Sequence, residues 1–268
     1  MSLHAAAVQF SPTTDKPHNL RTIQRLVTIA AEYGTDLVVL PEYATFTNPK
    51  MDQSMVENAE ALDGPSVEAL RKLSAETGVT LIAGVNEPDG DGRIYNTLVG
   101  IQQANIVATY RKLHLYDAFG MKESQWVTPG DVAPPQILQV KDFKIGMQTC
   151  YDLRFPEVSR TLVDAGADVF ALPSAWVPGP LKEFHWNTLL TARAIENTTY
   201  VIASDHAAPT GVGHSSIIDP MGVAVAKLGE EEGIARADLT RERIESVRTT
   251  NPALQWRRFS VVSDTPSA

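Results

Sequence analysis

The chain reads as an α/β protein with two sheets and helices on their outer faces. Three observations lead there. Residues 36–40 (Asp-Leu-Val-Val-Leu) and 168–173 (Asp-Val-Phe-Ala-Leu-Pro) are nearly unbroken apolar runs, the pattern of strands buried on both faces. Segments with apolar residues at helical spacing alternate with such runs. Hairpins then mix with further strand–helix pairs, and that order suggests two sheets, not one.

The elements follow in order. Residues 5–10 form a short apolar strand. Leu20, Ile23, Val27 and Ala30 mark one face of a helix that Gly34 ends. The strand at 36–40 is followed at once by Pro41-Glu42. Ligands gather beyond strand ends in α/β proteins, so Glu42 fits a site as well as it fits a solvated loop. Residues 51–64 are a polar loop with a helical turn. Residues 65–77 read as a helix through Val67, Leu70 and Leu73, and 79–85 as another buried strand. After the turn signal Asp89-Gly-Asp-Gly92, residues 94–101 and 106–110 pair around Gln103-Ala104-Asn105. That hairpin runs into Lys112, a second charged group at a strand end, although most lysines are simply solvated. Residues 117–135 show no clear period. Long irregular segments of this kind are usually functional or disordered, and Phe119, Met121 and Trp126 argue against disorder. Glu123 lies in the middle.

Phe143, Ile145 and Met147 alternate with polar or small residues and read as a strand. Pro156 favours the first turn of a helix, and Val158, Leu162 and Val163 follow at helical spacing. Cys150, the only cysteine, sits at the handover between the two. A lone cysteine is most often a small buried hydrophobe. Nucleophiles also occupy such turns, where the next backbone N–H faces the same spot. Residues 168–173 are a strand, 174–180 a loop with Trp176, and 181–197 a helix with Phe184, Thr188, Leu189, Ala192 and Ile195 inward. Residues 200–203 are a strand. Residues 214–219 and 223–228 form a hairpin around Pro220-Met221-Gly222, and 233–239 are the last strand. Thr240 caps a helix to Arg248. Residues 249–268 are a tail with Pro252, Trp256 and Phe259, expected to pack on the domain or on a partner subunit. With no internal repeat and no linker, residues 1–268 are expected to form a single domain.

Composition narrows the function. A net charge of −9 without a basic run makes nucleic acid and anionic membrane poor partners. One cysteine cannot form an intrachain disulfide, so nothing suggests an oxidising compartment. The first residues have no basic head and no long apolar segment, and no window is apolar enough to span a membrane. The cytoplasm is the expected location.

The sequence carries no Gly-x-Ser-x-Gly elbow, no zinc helix and no Walker loop, and its six histidines show no metal-ligand pattern. A thiol nucleophile with a carboxylate base and a lysine is the alternative. A free thiol has a pKa of ~8.5 and is mostly protonated at neutral pH. A nearby ammonium favours thiolate, and a placed carboxylate can take the proton. Glu42, Lys112 and Cys150 each fit a strand end from which such groups could converge.

Those residues carry a resemblance. Pro41-Glu42, Tyr110-Arg-Lys112-Leu-His-Leu and Gly146-Met-Gln-Thr-Cys150-Tyr-Asp-Leu-Arg-Phe-Pro-Glu157 resemble the three catalytic motifs of the nitrilase superfamily of carbon–nitrogen hydrolases. The likeness continues through Leu172-Pro-Ser-Ala-Trp176, Ala192-Arg-Ala-Ile-Glu-Asn197, Gly213-His-Ser-Ser216 and Asp219-Pro-Met-Gly222. It spans nearly the whole chain in the family's order, and is greatest to the omega-amidase and deaminated-glutathione-amidase branch. The resemblance implies a four-layer α-β-β-α sandwich of two mixed sheets, paired as a homodimer through helices near the nucleophile. It implies Glu42 as general base, Lys112 as oxyanion stabiliser and Cys150 as nucleophile. Glu123 aligns with the family's second active-site glutamate, and the Tyr151 N–H would be a second oxyanion donor. Tyr43 and Trp176 fit either the pocket wall or the core. Asp152, Arg154 and Glu157 are expected to brace the turn by ion pairing. The implied reaction is hydrolysis of a small carboxylic amide to acid and ammonia through a thioester, with no metal and no organic cofactor. The rivals are a nitrilase, an N-carbamoyl or N-acyl amine hydrolase on the same groups, and a non-catalytic binding protein. The intact set of three argues against the last.

Overall fold

The structure, a computed structural model, describes residues 2–262. Strand β1 (Ser2–Gln9) and helix α1 (Lys16–Glu32) lead into β2 (Leu37–Val39), a short α2 (Ser54–Glu57) and α3 (Pro65–Thr77). Next come β3 (Thr80–Pro88), β4 (Ile94–Gln102) and β5 (Asn105–Arg111), a 3-10 turn at Glu123–Gln125, then β6 (Ile137–Val140) and β7 (Phe143–Met147). A 3-10 helix (Cys150–Arg154) joins β7 to α4 (Pro156–Asp164), followed by β8 (Val169–Pro173), α5 (Lys182–Asn197) and β9 (Tyr200–Ser204). The chain continues through β10 (Ser216–Ile218), β11 (Ala224–Lys227), β12 (Gly233–Thr240) and α6 (Arg241–Thr250).

These strands form two six-stranded sheets, ordered β12-β1-β2-β3-β4-β5 and β11-β10-β9-β8-β7-β6. Each is mixed: β1, β2 and β3 run parallel, as do β7, β8 and β9, and their outer neighbours are antiparallel. Side chains alternate across a strand, and the alternation sorts the layers. Leu37, Val39 and Ile82 meet Ile145, Val169, Ala171 and Ile202 between the sheets. On the opposite faces, Val38 and Leu81 pack with Ile23, Val27 and Leu70 of α1 and α3, while Phe170, Leu172 and Val201 pack with Leu162, Trp186 and Leu190 of α4 and α5. The result is the expected α-β-β-α sandwich.

Local chemistry explains the boundaries. Gly78 ends α3 in the left-handed conformation, and the Thr240 hydroxyl accepts from the Arg243 N–H to cap α6 as expected. The β4–β5 turn is tighter than its sequence suggests: Gln102 pairs with Asn105, leaving Gln103 and Ala104 alone in the turn, both at positive φ. Among the described residues no helix is long and apolar enough to cross a membrane.

Three differences have physical causes. Strand β6 was not anticipated, because a four-residue strand after a proline-rich run offers only Leu138 and Val140 as an inward pair. The inward face of α5 is Trp186, Leu190, Arg193, Ala194 and Asn197, whereas Phe184 and Ile195 are 63% and 44% exposed. Helix α5 carries two apolar stripes, and periodicity alone does not say which one meets the sheet. In the tail, Leu254 packs beside α5, but Phe259 is 92% exposed. The end of the tail, residues 263–268, lies outside the described residues.

The sheets bring strand ends to one place. Strand β3 passes so close to the turn after β2 that a Cβ at Gly84 would lie 2.6 Å from the Tyr43 nitrogen and 2.7 Å from the Glu42 Cα. Both contacts are to backbone, so one side must shift. Gly84→Ala is expected to lower the unfolding free energy by about 1–3 kcal/mol in urea denaturation. A variant as stable as the parent would show that the Glu42 turn yields freely.

Candidate active site

Glu42 follows β2 and is buried. Its Oε1 accepts from the Asn96 Nδ2 at 2.6 Å and the Lys112 Nζ at 3.0 Å, and its Oε2 from the Ala175 N–H at 2.7 Å. Lys112, just past β5, is also buried, and its Nζ donates to both oxygens of Glu123 at 2.9 Å. The Tyr43 hydroxyl donates to Glu123 Oε1 at 2.8 Å and the Tyr116 N–H to Oε2 at 2.5 Å. One ammonium thus lies between two carboxylates whose remaining acceptor sites are also occupied.

Cys150 opens its 3-10 helix at φ +46, a left-handed conformation that a residue with a side chain rarely adopts. Asp152 holds the turn. Its carboxylate accepts from the Thr149 N–H at 3.2 Å, the Tyr110 hydroxyl at 2.6 Å and the His114 N–H at 3.0 Å, with the His114 Nδ1 at 2.8 Å. Asp152 therefore braces the turn mainly through hydrogen bonds. The other two expected braces differ. Glu157 is exposed and forms no ion pair among the described residues. Arg154 turns into the pocket.

The charges around the sulfur set its state. Burial pushes the Glu42 carboxyl up, but the Lys112 charge and hydrogen bond, with bonds from Cys150 and Asn96, leave it below the usual value. Burial pulls Lys112 down, and the two carboxylates, Glu123 first, raise it well above its ordinary value. Burial and then the charge of Glu42 push the Cys150 thiol well up, against the pull of Lys112. The resting site is a neutral thiol that feels both a charged carboxylate and a charged lysine.

A narrow, partly open pocket reaches the sulfur, lined by Tyr116, Cys150, Tyr151, Arg154, Trp176 and Lys182 among others. The Lys182 Nζ bonds the Tyr116 hydroxyl at 2.6 Å and lies 3.9 Å from the Phe119 ring centroid. The Arg154 guanidinium lies 4.8 Å from the Trp176 ring centroid. Neither cation pairs with a carboxylate among the described residues. Burial, then Arg154, pulls the Lys182 pKa down.

The structure thus brings Glu42, Lys112, Cys150 and Glu123 together, with Tyr151 and Trp176 on the pocket wall. Tyr43, expected either at substrate or in the core, packs with Phe46, Met55, Ile94 and Val127 and points its hydroxyl at Glu123. Asn96, Lys182 and Ala175 were not anticipated. A polar residue inside the apolar run of β4 was the available signal for Asn96. Among the described residues no group of three or more His, Cys, Asp or Glu is placed to hold a metal ion.

Comparison with known proteins extends this picture. The family model for carbon-nitrogen hydrolases matches residues 4–249. A deaminated glutathione amidase from Escherichia coli O157:H7 is 42% identical over 255 residues, covering 95% of this chain and 97% of that protein. A protein of the same name from Synechocystis sp. is 36% identical, covering 95% of this chain and 98% of its own. Among solved structures, Saccharomyces cerevisiae Nit3, a member of branch 10 of the nitrilase superfamily, aligns with a TM-score of 0.85 at 30% identity, covering 96% of this chain and 97% of its own. A mutant of the Nesterenkonia AN1 amidase aligns with a TM-score of 0.80 at 26% identity, covering 95% of this chain and 97% of its own.

The electrostatics give a test that needs no substrate. The negative charge of Glu42 helps to keep the thiol protonated, so Glu42→Gln should lower the thiol pKa. The rate of iodoacetamide alkylation against pH should shift to lower pH in that variant, although the thiol has lost its proton acceptor. A shift to higher pH would mean that the carboxylate does not oppose thiolate.

Proposed function

This chain belongs to the carbon–nitrogen hydrolase family, and from that premise we propose that it is a cysteine-dependent amidase working through a thioester. It is a hydrolase of carbon–nitrogen bonds other than peptide bonds, and the amidase names of its relatives support an amide substrate. One observation carries the mechanism: a buried, charged Glu42 bonds the Lys112 ammonium at 3.0 Å, and the charges of both act on the buried Cys150 thiol.

In this reading Glu42 takes the thiol proton as the sulfur attacks the amide carbonyl. The developing oxyanion accepts from Lys112 and from the Tyr151 N–H, which lies in the first turn of its helix, where amides lack intrahelical acceptors. Glu42 returns the proton to the leaving nitrogen, ammonia departs, and a thioester remains. Water activated by the same carboxylate then releases the acid. Glu123 keeps Lys112 charged and in place. The unpaired cations Arg154 and Lys182 favour an amide that carries an anionic group of its own, such as a carboxylate. Deaminated glutathione, the substrate named for the relatives, is the first compound to try.

Assembly and location belong to the same proposal. The exposed α5 stripe of Phe184 and Ile195, with Met221 and Val223 of the neighbouring hairpin, supports a homodimer. The lone cysteine supports a cytoplasmic enzyme.

The test is a panel of amides and nitriles, neutral and anionic, with both ammonia and acid measured. Anionic amides should be hydrolysed, and Cys150→Ala should be inactive with an unchanged fold. Turnover of nitriles alone would favour the nitrilase reading, and activity that survives complete alkylation would sink the thiol mechanism. Glu123→Gln keeps the shape and removes the charge that holds Lys112. It should lower kcat by ~10²-fold without changing the circular dichroism spectrum. A near-parental kcat would leave Glu123 a bystander.

A further inference from the structure

Ser174 follows β8, the strand beside the one that leads to Cys150. It is 0% exposed, and its hydroxyl oxygen has no well-formed hydrogen-bond partner. Buried hydroxyls are ordinarily bonded; Thr149, Thr199 and Ser216 share this lack of a partner, and Ser174 is the one whose hydroxyl acts on the Cys150 thiol. The hydroxyl favours the Cys150 thiolate, and the next residue, Ala175, lines the same pocket as Cys150. The backbone around it is pinned: the Ser174 N–H donates to the Ser204 carbonyl at 2.7 Å, its carbonyl accepts from the Glu42 N–H at 3.4 Å, and the Ala175 N–H holds the Glu42 carboxylate at 2.7 Å. The segment is thereby tied to both the base and the nucleophile.

We propose that Ser174 is a further catalytic residue, whose hydroxyl donates a hydrogen bond to the Cys150 sulfur whenever that sulfur carries negative charge. A thiol sulfur is a weak acceptor and a thiolate a strong one, so the donor is unengaged at rest and engaged during reaction. The need is visible in the charges. Lys112, the nearby cation, is already shared between two carboxylates, which leaves room for a neutral donor that adds no competing charge. The step balances simply. The thiol proton passes to Glu42, the sulfur lone pair forms the C–S bond, and Ser174 keeps its own proton throughout. The same hydrogen bond serves again when water has added to the thioester and the C–S bond breaks to expel thiolate.

The proposal rests on Cys150 as the nucleophile, and the experiment separates the two. Wild-type protein, Ser174→Ala and Ser174→Thr are compared for kcat, KM, melting temperature and the pH dependence of iodoacetamide alkylation, which reads Cys150 alone because the chain has no other cysteine. Removing an unbonded hydroxyl should leave the melting temperature unchanged or raise it. In the Ala variant the alkylation midpoint should move up by about half to one pH unit, and kcat should fall about tenfold at nearly constant KM. The Thr variant retains the hydroxyl and should recover the wild-type midpoint. A folded Ala variant with the wild-type midpoint and kcat would overturn the role of Ser174, as would a folded Thr variant that behaves like Ala. Wild-type activity that persists after complete alkylation would instead overturn the nucleophile, and this role with it.

Discussion

The ammonium of Lys112, enclosed between Glu42 and Glu123, is the interaction on which the rest of the site depends. Burying an ion is expensive unless it is paired and its remaining sites are bonded, and removing one partner of a buried pair costs about 3–5 kcal/mol. The fold meets that demand with donors from four separate places: Asn96 in β4, Tyr43 after β2, the Tyr116 N–H and the Ala175 N–H after β8. Two carboxylates and one ammonium leave an excess negative charge beside the sulfur. Burial, and after it the charge of Glu42, keeps the thiol protonated, and Glu42 is the group proposed to receive its proton.

The outer pocket follows the opposite rule. Arg154 and Lys182 are held mainly by rings and a hydroxyl, so position is fixed while charge is left free. In a chain of net charge −9, two cations without carboxylate partners among the described residues lie together beside the sulfur, and that placement has a chemical meaning. The inner site neutralises its lysine and the outer site does not, which would separate the groups proposed to act on the bond from those that would choose the molecule.

Much of this was legible in the sequence for a simple reason. Glu42 and Lys112 are charged residues at the ends of strand-like runs, and Cys150 stands between a strand period and a helix start, so each is marked by its break with the local pattern. Glu123 is visible only through a short motif in an irregular segment. Tyr43 was seen but its direction was not, because the positive φ at that residue turns its hydroxyl toward Glu123. Sequence neighbours invite ion pairs and so place Arg154 at the turn, whereas the helix turns it away from Asp152 toward Trp176. Lys182 was hidden for the reason that hid the true face of α5: a helical period gives a stripe but not its azimuth. Ala175 acts through its backbone, which no side-chain pattern reports.

The two residues proposed to exchange a proton hang from different sheets. Glu42 follows a strand of the first and Cys150 a strand of the second, and the layers meet through aliphatic side chains such as Val39, Ile82, Val169 and Ile202. A small slide of one sheet over the other would leave every strand, helix and backbone ladder intact, yet would separate acid from base by the full displacement. The aliphatic interlayer thus acts as the alignment bearing of the active centre. Underpacking it far from any polar group should make loss of activity on heating run ahead of loss of secondary structure.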